Sequence, residues 1–176
     1  MKKVAVFCSA NEDIRRTYFD RTTELGAYIG QRGHELVFGG CNMGLMECVA
    51  RAVKENGGTT LGVVPDRVED RGAVSSYVDR VVLVKSLSER KDVMMQEGDI
   101  IIALPGGIGT LDEIFSVVAS ATIGYHNKRI ILYNMEGCWD SLIALLKDLQ
   151  ESHFIRGHYT DYFLVANNLE QLKRIL

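Results

Sequence analysis

The sequence predicts an α/β fold, a mostly parallel sheet with helices packed on both faces. Three observations carry this. Short apolar runs alternate with helix-length patterns from one end of the chain to the other. The runs are continuous rather than alternating, as in Val4-Ala5-Val6-Phe7 and Leu61-Gly62-Val63-Val64, which suits strands covered on both sides. Two of them lead into glycine-rich turns, Gly39-Gly40 and Pro105-Gly106-Gly107-Ile108-Gly109, with a helical pattern directly after.

Taken in order, strands are expected near 3–8, 34–38, 59–64, 79–84, 99–104, 129–133 and 162–165. Helices are expected near 13–32, 43–56, 87–97, 110–123, 139–151 and 168–175. No repeat, low-complexity tract or Pro/Ser linker interrupts the series, so residues 1–176 read as one domain, able to bury roughly 70% of its unfolded surface. The irregular stretch from Pro65 to about Val78 shows no clear helix and carries Asp66, Arg67, Glu69, Asp70 and Arg71. It reads either as a mobile flap beside a site or as a solvated connection.

Composition removes several function classes. A net charge of −3 without a lysine- or arginine-rich arm argues against non-specific nucleic-acid binding. No apolar stretch approaches the ~20 residues of a membrane span, and Met1-Lys2-Lys3 runs straight into a strand rather than a signal peptide. Cys8, Cys41, Cys48 and Cys138 have no CxxC spacing, and His34, His126, His153 and His158 have no metal spacing. No metal site is expected, and a reducing cytoplasm is the simplest compartment.

The stretch from Pro105 to Glu113 is the most informative. A strand, a glycine turn and a helix start form an anion site, because backbone N–H groups can approach the ligand and the helix N-terminus adds roughly half a positive charge. Gly106, Gly107, Gly109 and Thr110 are the candidate binders, with Glu113 one turn away. Thr110-Leu111-Asp112-Glu113 also matches a capping box, in which Glu113 only satisfies the backbone N–H at Thr110. For an isolated T-x-x-E that reading would win; the glycine loop directly before it favours catalysis.

Gly39 and Gly40 have two readings as well, a second ligand loop or a tight strand-to-helix turn. Neither glycine loop is the dinucleotide fingerprint or a P-loop, so a mononucleotide or sugar phosphate fits better than NAD-linked or NTP-hydrolysing chemistry. Ser86-Leu87-Ser88-Glu89 matches a capping box, with Ser86 as N-cap. Arg90 and Lys91 follow at once, where cations oppose the helix dipole. Either they serve an anion site or they form a solvated charge run, with Lys91 paired to Glu89 or Asp92. Met94 and Met95 read by position as core residues.

These residues resemble the Lonely Guy (LOG) family of cytokinin riboside 5′-monophosphate phosphoribohydrolases, once labelled lysine decarboxylases. The resemblance rests on Pro105-Gly106-Gly107-x-Gly109-Thr110-x-x-Glu113 with Arg90-Lys91 and Met94 upstream. Gly39-Gly40, Gly44-Leu45-Met46, Val6-Phe7-Cys8 and the Gly124-x-His126-x-Lys128 segment also match. It implies a Rossmann-like homodimer without a cofactor that hydrolyses the N-glycosidic bond of an adenosine-type nucleoside 5′-monophosphate. Arg90 and Glu113 correspond to the catalytic pair, Gly107, Gly109 and Thr110 to phosphate binders, and Met94 to a base contact. Gly39, Gly40, Lys91 and Gly106 complete the substrate-binding set that it implies.

The chain departs from the family pattern at Cys41, Glu47, Leu87, Ser120 and Thr122, none of them in the catalytic pair. Molybdenum-cofactor carriers have a similar fold and similar glycine loops, so a binding module without turnover is the alternative. Lysine decarboxylation would need a Schiff-base lysine in a recognisable setting, and no lysine here has one.

Overall fold

The computed structural model describes residues 1–176. Seven strands form one all-parallel sheet: β1 (Lys3–Phe7), β2 (Glu35–Phe38), β3 (Thr59–Pro65), β4 (Arg80–Val84), β5 (Ile100–Ala103), β6 (Ile130–Tyr133) and β7 (Phe163–Ala166). Their order across the sheet is β4-β3-β2-β1-β5-β6-β7. The helices are α1 (Arg16–Gln31), α2 (Gly44–Glu55), α3 (Asp66–Glu69), α4 (Leu87–Glu97), α5 (Ile108–Thr122), α6 (Asp140–Glu151) and α7 (Leu169–Ile175). The predicted α/β class and all seven predicted strands are present.

Side-chain alternation along each strand feeds two separate cores, one on each face. Val4 and Val6 of β1 pack with Leu25 and Ile29 of α1, Val49 and Val53 of α2 and Leu172 of α7. Ala5 and Phe7 face the other way, toward Met94 of α4, Ile114 and Val117 of α5, and Leu142 and Leu146 of α6. After β4 the chain returns through α4 to place β5 beside β1. The winding therefore reverses between β1 and β5, and in open sheets of this kind ligands bind outside the carboxyl ends of strands at that point.

Two details differ from the sequence reading. The segment after Pro65 contains a short helix, α3, and then turns back onto the first glycine loop. Asn42 donates to the Ala73 carbonyl (3.0 Å), Ser75 donates to the Gly40 carbonyl (2.8 Å), and Cys41 bridges Val74. The segment is a braced cover rather than a free flap. The second difference is that α5 starts at Ile108, not residue 110, with Gly107 as its N-cap. Thr110 thus lies inside the first turn and cannot be the cap that the T-x-x-E spacing suggests. No helix is long and apolar enough to cross a membrane.

Candidate active site

At the reversal point the ends of β1 and β5 are joined by hydrogen bonds from Leu104 to the Phe7 carbonyl (2.9 Å) and from Ser9 to the Pro105 carbonyl (3.1 Å). Above them lies a cavity of about 280 Å³, lined by Cys8, Ser9 and Ala10 after β1, Met46 of α2, Arg90 of α4, and Gly107, Gly109, Thr110 and Glu113 around the start of α5. The structure therefore brings Arg90, Gly107, Gly109, Thr110 and Glu113 together. A second cavity of about 340 Å³ shares Ser9 and Gly107 with the first and extends to Tyr18 and Trp139.

The start of α5 has no side-chain cap. Its first N–H groups have no intrahelical partner, which makes this end suited to an anion. A Cβ on Gly107 or Gly109 would meet nothing within 4 Å, so no packing demand within the chain requires these two glycines. Gly106 is different: a Cβ there would overlap the Thr110 hydroxyl, and that contact closes the turn. In the first loop, Gly39 sits beside the pair of side chains that enter the cavity, its ideal Cβ 3.1 Å from Met46 Sδ and 3.2 Å from Arg90 Nη1. Gly40 has φ +72° and faces Val64, away from the cavity. Its place is a left-handed turn that other residues adopt only under strain.

Arg90 Nη2 donates to Glu113 Oε1 at 2.6 Å, and the two side chains are 14% and 4% exposed. Glu113 therefore does not cap its own helix; its carboxylate serves a guanidinium from a different helix. Burial pushes the Glu113 pKa up to about 7, while Arg90 pulls it down. A carboxyl so placed changes charge near neutrality, as a general base or an electrostatic stabiliser of cationic intermediates requires. Arg90 Nε is buried without a hydrogen-bond partner in the chain. Burial likewise raises the pKa of the Cys8 thiol, which the nearby Glu113 carboxylate raises further. That keeps it a poor nucleophile.

Lys91 and Met94 lie elsewhere. Lys91 Nζ holds both oxygens of Asp112 (2.8 and 2.7 Å), not Glu89 or Asp92, and faces a shallow cavity between α4 and α5. Met94 is 1% exposed, within the core formed with Ala5 and Phe7, and does not line the Glu113 cavity. Among lining residues, Met46 carries no chemistry that marks it in the sequence as a site residue. The signals for it are its place in the first turn of α2, directly after a strand end and its glycine loop, and the Gly44-Leu45-Met46 match to the family.

The sequence model of the family described as "Possible lysine decarboxylase" matches residues 46–176. The cytokinin riboside 5′-monophosphate phosphoribohydrolase LOG5 of Arabidopsis thaliana is 36% identical over 171 residues, covering 97% of this chain and 75% of that protein. This chain belongs to the Lonely Guy family. A second Arabidopsis thaliana relative of the same description, LOG2, is 30% identical and covers 99% of this chain and 82% of its own length. Among solved structures, the molybdenum cofactor carrier protein of Chlamydomonas reinhardtii superposes with a TM-score of 0.76, at 21% identity over 99% of this chain and 94% of that one. That likeness is one of fold. A shared fold does not fix a function, which depends on the residues of the site.

Proposed function

We propose that this LOG-family protein hydrolyses the N-glycosidic bond of an adenosine-type nucleoside 5′-monophosphate, a cytokinin riboside monophosphate or AMP. The products are the free base and ribose 5-phosphate. The observation that carries the reading is the position of Glu113, a buried carboxylate in the second turn of α5, paired with Arg90 and lining the same cavity as the uncapped helix start. The names of the 36% and 30% identical relatives support the same chemistry.

In this reading the 5′-phosphate binds the N–H groups around Gly107, Gly109 and Thr110, and its binding energy positions C1′. The C1′–N bond breaks with its electron pair leaving on the base, and positive charge develops on C1′ and the ring oxygen. Ionised Glu113 stabilises that charge and takes a proton from the attacking water, whose oxygen bonds to C1′. Glu113 returns the water's proton to solvent, and the departing base takes one from solvent at the nitrogen it frees. Arg90 fixes the carboxylate, and its side chain, which lines the cavity, holds the ribose or the phosphate. Gly39 supports the catalytic pair by leaving room for Arg90, and Gly106 closes the phosphate turn.

A homodimer in the cytoplasm is part of the same proposal. An apolar groove of about 330 Å³ runs between α5, α6 and residues 154–163, beside Phe115 (39% exposed) and Phe154 (79% exposed). A second copy would cover it, and sedimentation of the purified chain tests this. The four free thiols suit a reducing compartment.

The function is tested by chromatographic detection of free base after incubation with AMP and with N6-isopentenyl AMP. Wild type is expected to release base, and Glu113→Gln to do so roughly 10²–10⁴-fold more slowly. Tight nucleotide binding with no release from either substrate would turn the reading to a binding module.

A further inference from the structure

Helix α4 carries Arg90 to the site, and its hydrophobic anchorage is confined to its middle, at Val93, Met94 and Met95. Met94 is its one buried residue, and Leu87 at its start is 59% exposed. Val93 and Met95 pack half-buried on the same core, so the apolar contact of α4 is concentrated at residues 93–95 and its two ends depend on polar ties. At the front end those ties are Ser86, which accepts from the Glu89 N–H at 3.1 Å, and Glu89, which accepts from the Lys85 N–H at 2.8 Å. The carboxylate thus reaches one residue past the N-cap that a capping box would satisfy. In the middle are the ion pairs of Arg90 with Glu113 and Lys91 with Asp112, both reaching α5.

The back end is held by a residue that the proposed chemistry leaves unused. Lys128 lies on the loop between α5 and β6. Its Nζ donates to the carbonyls of Met95 (2.6 Å), Gln96 (3.3 Å) and Gly98 (2.8 Å). The last carbonyls of a helix have no intrahelical partner and carry the negative end of its dipole. A lysine that meets three carbonyls there spends its charge and all its donors on one helix end. The loop that presents it is itself shaped locally, since the Lys128 N–H donates to His126 Nδ1 (3.1 Å). The chain that leaves α5, the helix bearing Glu113, therefore closes back onto the end of α4, the helix bearing Arg90.

We infer that Lys128 is a positioning residue: by fixing the C-terminal end of α4 to the α5–β6 loop, it sets the register in which Arg90 meets Glu113. The role is geometric, and Lys128 does not line the Glu113 cavity. Its bearing on turnover rests on the reading of Glu113 and Arg90 as the reacting pair, whereas its bearing on the pair's geometry does not. The charged and titratable groups around Glu113 are Arg90 and Lys91 from α4, Asp112 beside it on α5, and Cys8 from the end of β1. Of these, Arg90 makes the direct hydrogen bond, so a displaced α4 must register in the proton affinity of Glu113.

The test follows the Glu113 carboxyl by carbon NMR through a pH titration, with Glu113→Gln to assign its signal, alongside kcat and KM for AMP. In Lys128→Met, Glu113 should bind its proton roughly three- to tenfold more tightly as its cation withdraws. Where wild type turns over, kcat should fall by about tenfold or more with a smaller change in KM, as misplacement of a reacting group does. Lys128→Arg should restore most of both. Lys54→Met, which removes the ion pair with Asp79, should move neither. Should Lys128→Met not fold, Lys128→Gln retains two donors without the charge and is read in the same way.

A folded variant with wild-type Glu113 titration and a lowered Tm would overturn the proposal and leave Lys128 a simple helix cap. If wild type releases no base from any nucleotide, the proposed function fails, while the Glu113 titration still decides the role of Lys128.

Discussion

Arg90 and Glu113 meet at 2.6 Å although they lie on helices on either side of β5 in sequence. The pair exists because α4 and α5 pack against the same face of the sheet, so a cation early in one helix reaches a carboxylate in the first turns of the next. Each residue makes the other tolerable. An unpaired guanidinium near the start of α4 would oppose its dipole, and an unpaired buried carboxylate would stay protonated well above neutrality.

The stability of the fold should carry the signature of this carboxyl. Its pKa is near 4.5 when unperturbed and about 7 in the folded chain. The folded state therefore holds the proton more tightly than the unfolded state. The resulting stabilisation is complete below about pH 4.5 and is lost as pH rises through about 7. Its size is on the order of 3 kcal/mol. Glu113→Gln cannot titrate, so its unfolding free energy should fall less steeply across that window. Urea denaturation at a series of pH values checks this, and parallel curves for the two proteins would count against a raised Glu113.

Catalysis should depend on pH in the opposite direction. If ionised Glu113 is the working form, kcat/KM rises with pH and levels off above about 7. One pH unit below that point activity should be down roughly tenfold. Removing the cation in Arg90→Met should move the rise to higher pH, because the buried carboxyl then lacks the charge that pulls its pKa down. A pH–rate profile of both proteins decides it; a rise at the same pH in both would disconnect Arg90 from the ionisation of Glu113.

Much of this architecture was legible in the sequence. The seven strands were readable because continuous apolar runs bounded by turn residues, in a chain this regular, suit buried parallel strands and little else. The catalytic candidates were readable because a glycine turn between a strand and a helix has a specific chemical use. The reach of individual side chains was not. The spacing from Thr110 to Glu113 matches a cap, and only the packing of α4 against α5 shows that Glu113 is turned to Arg90. Lys91 was readable as a charge in want of a partner, but its partner, Asp112, lies 21 residues away. Met94 is core, as its position suggests, and it does not line the Glu113 cavity, although the resemblance implies a base contact for it. Lys128 stands out in the sequence only through the Gly124-x-His126-x-Lys128 match, and its clasp on the end of α4 was not readable because its acceptors are backbone carbonyls 30 to 33 residues earlier.

The two open glycines separate folding from binding. Gly109 lies inside the first turn of α5, and a Cβ there meets no atom of the chain. Alanine is better than glycine in a helix by about 1 kcal/mol, so Gly109→Ala should raise stability or leave it unchanged. The same methyl would occupy the approach of a phosphate to the helix start, so KM for AMP should rise by about tenfold or more. Gly106→Ala should instead destabilise, since its Cβ overlaps the Thr110 hydroxyl. Thermal melts and steady-state kinetics on the two variants provide the comparison, and unchanged KM in Gly109→Ala would place the phosphate elsewhere.

The first glycine loop should divide the same way between two adjacent residues. At Gly39 the added Cβ falls 3.1 Å from Met46 Sδ and 3.2 Å from Arg90 Nη1, so these neighbours must give by a few tenths of an ångström. Met46 is flexible, and the lasting consequence is a displaced guanidinium. Gly39→Ala should thus lower kcat while changing KM little and stability by under about 1 kcal/mol. Gly40 is held at φ +72° with Val64 against it. Alanine there is both strained and overpacked, and Gly40→Ala should destabilise by about 2 kcal/mol or more. Enzyme that folds at lower temperature should keep near wild-type kcat, because Gly40 faces away from the cavity. Urea melts paired with kcat measurements read out both arms. Equal stability losses in the two variants, with no kinetic difference, would mean that this loop is a turn and nothing more.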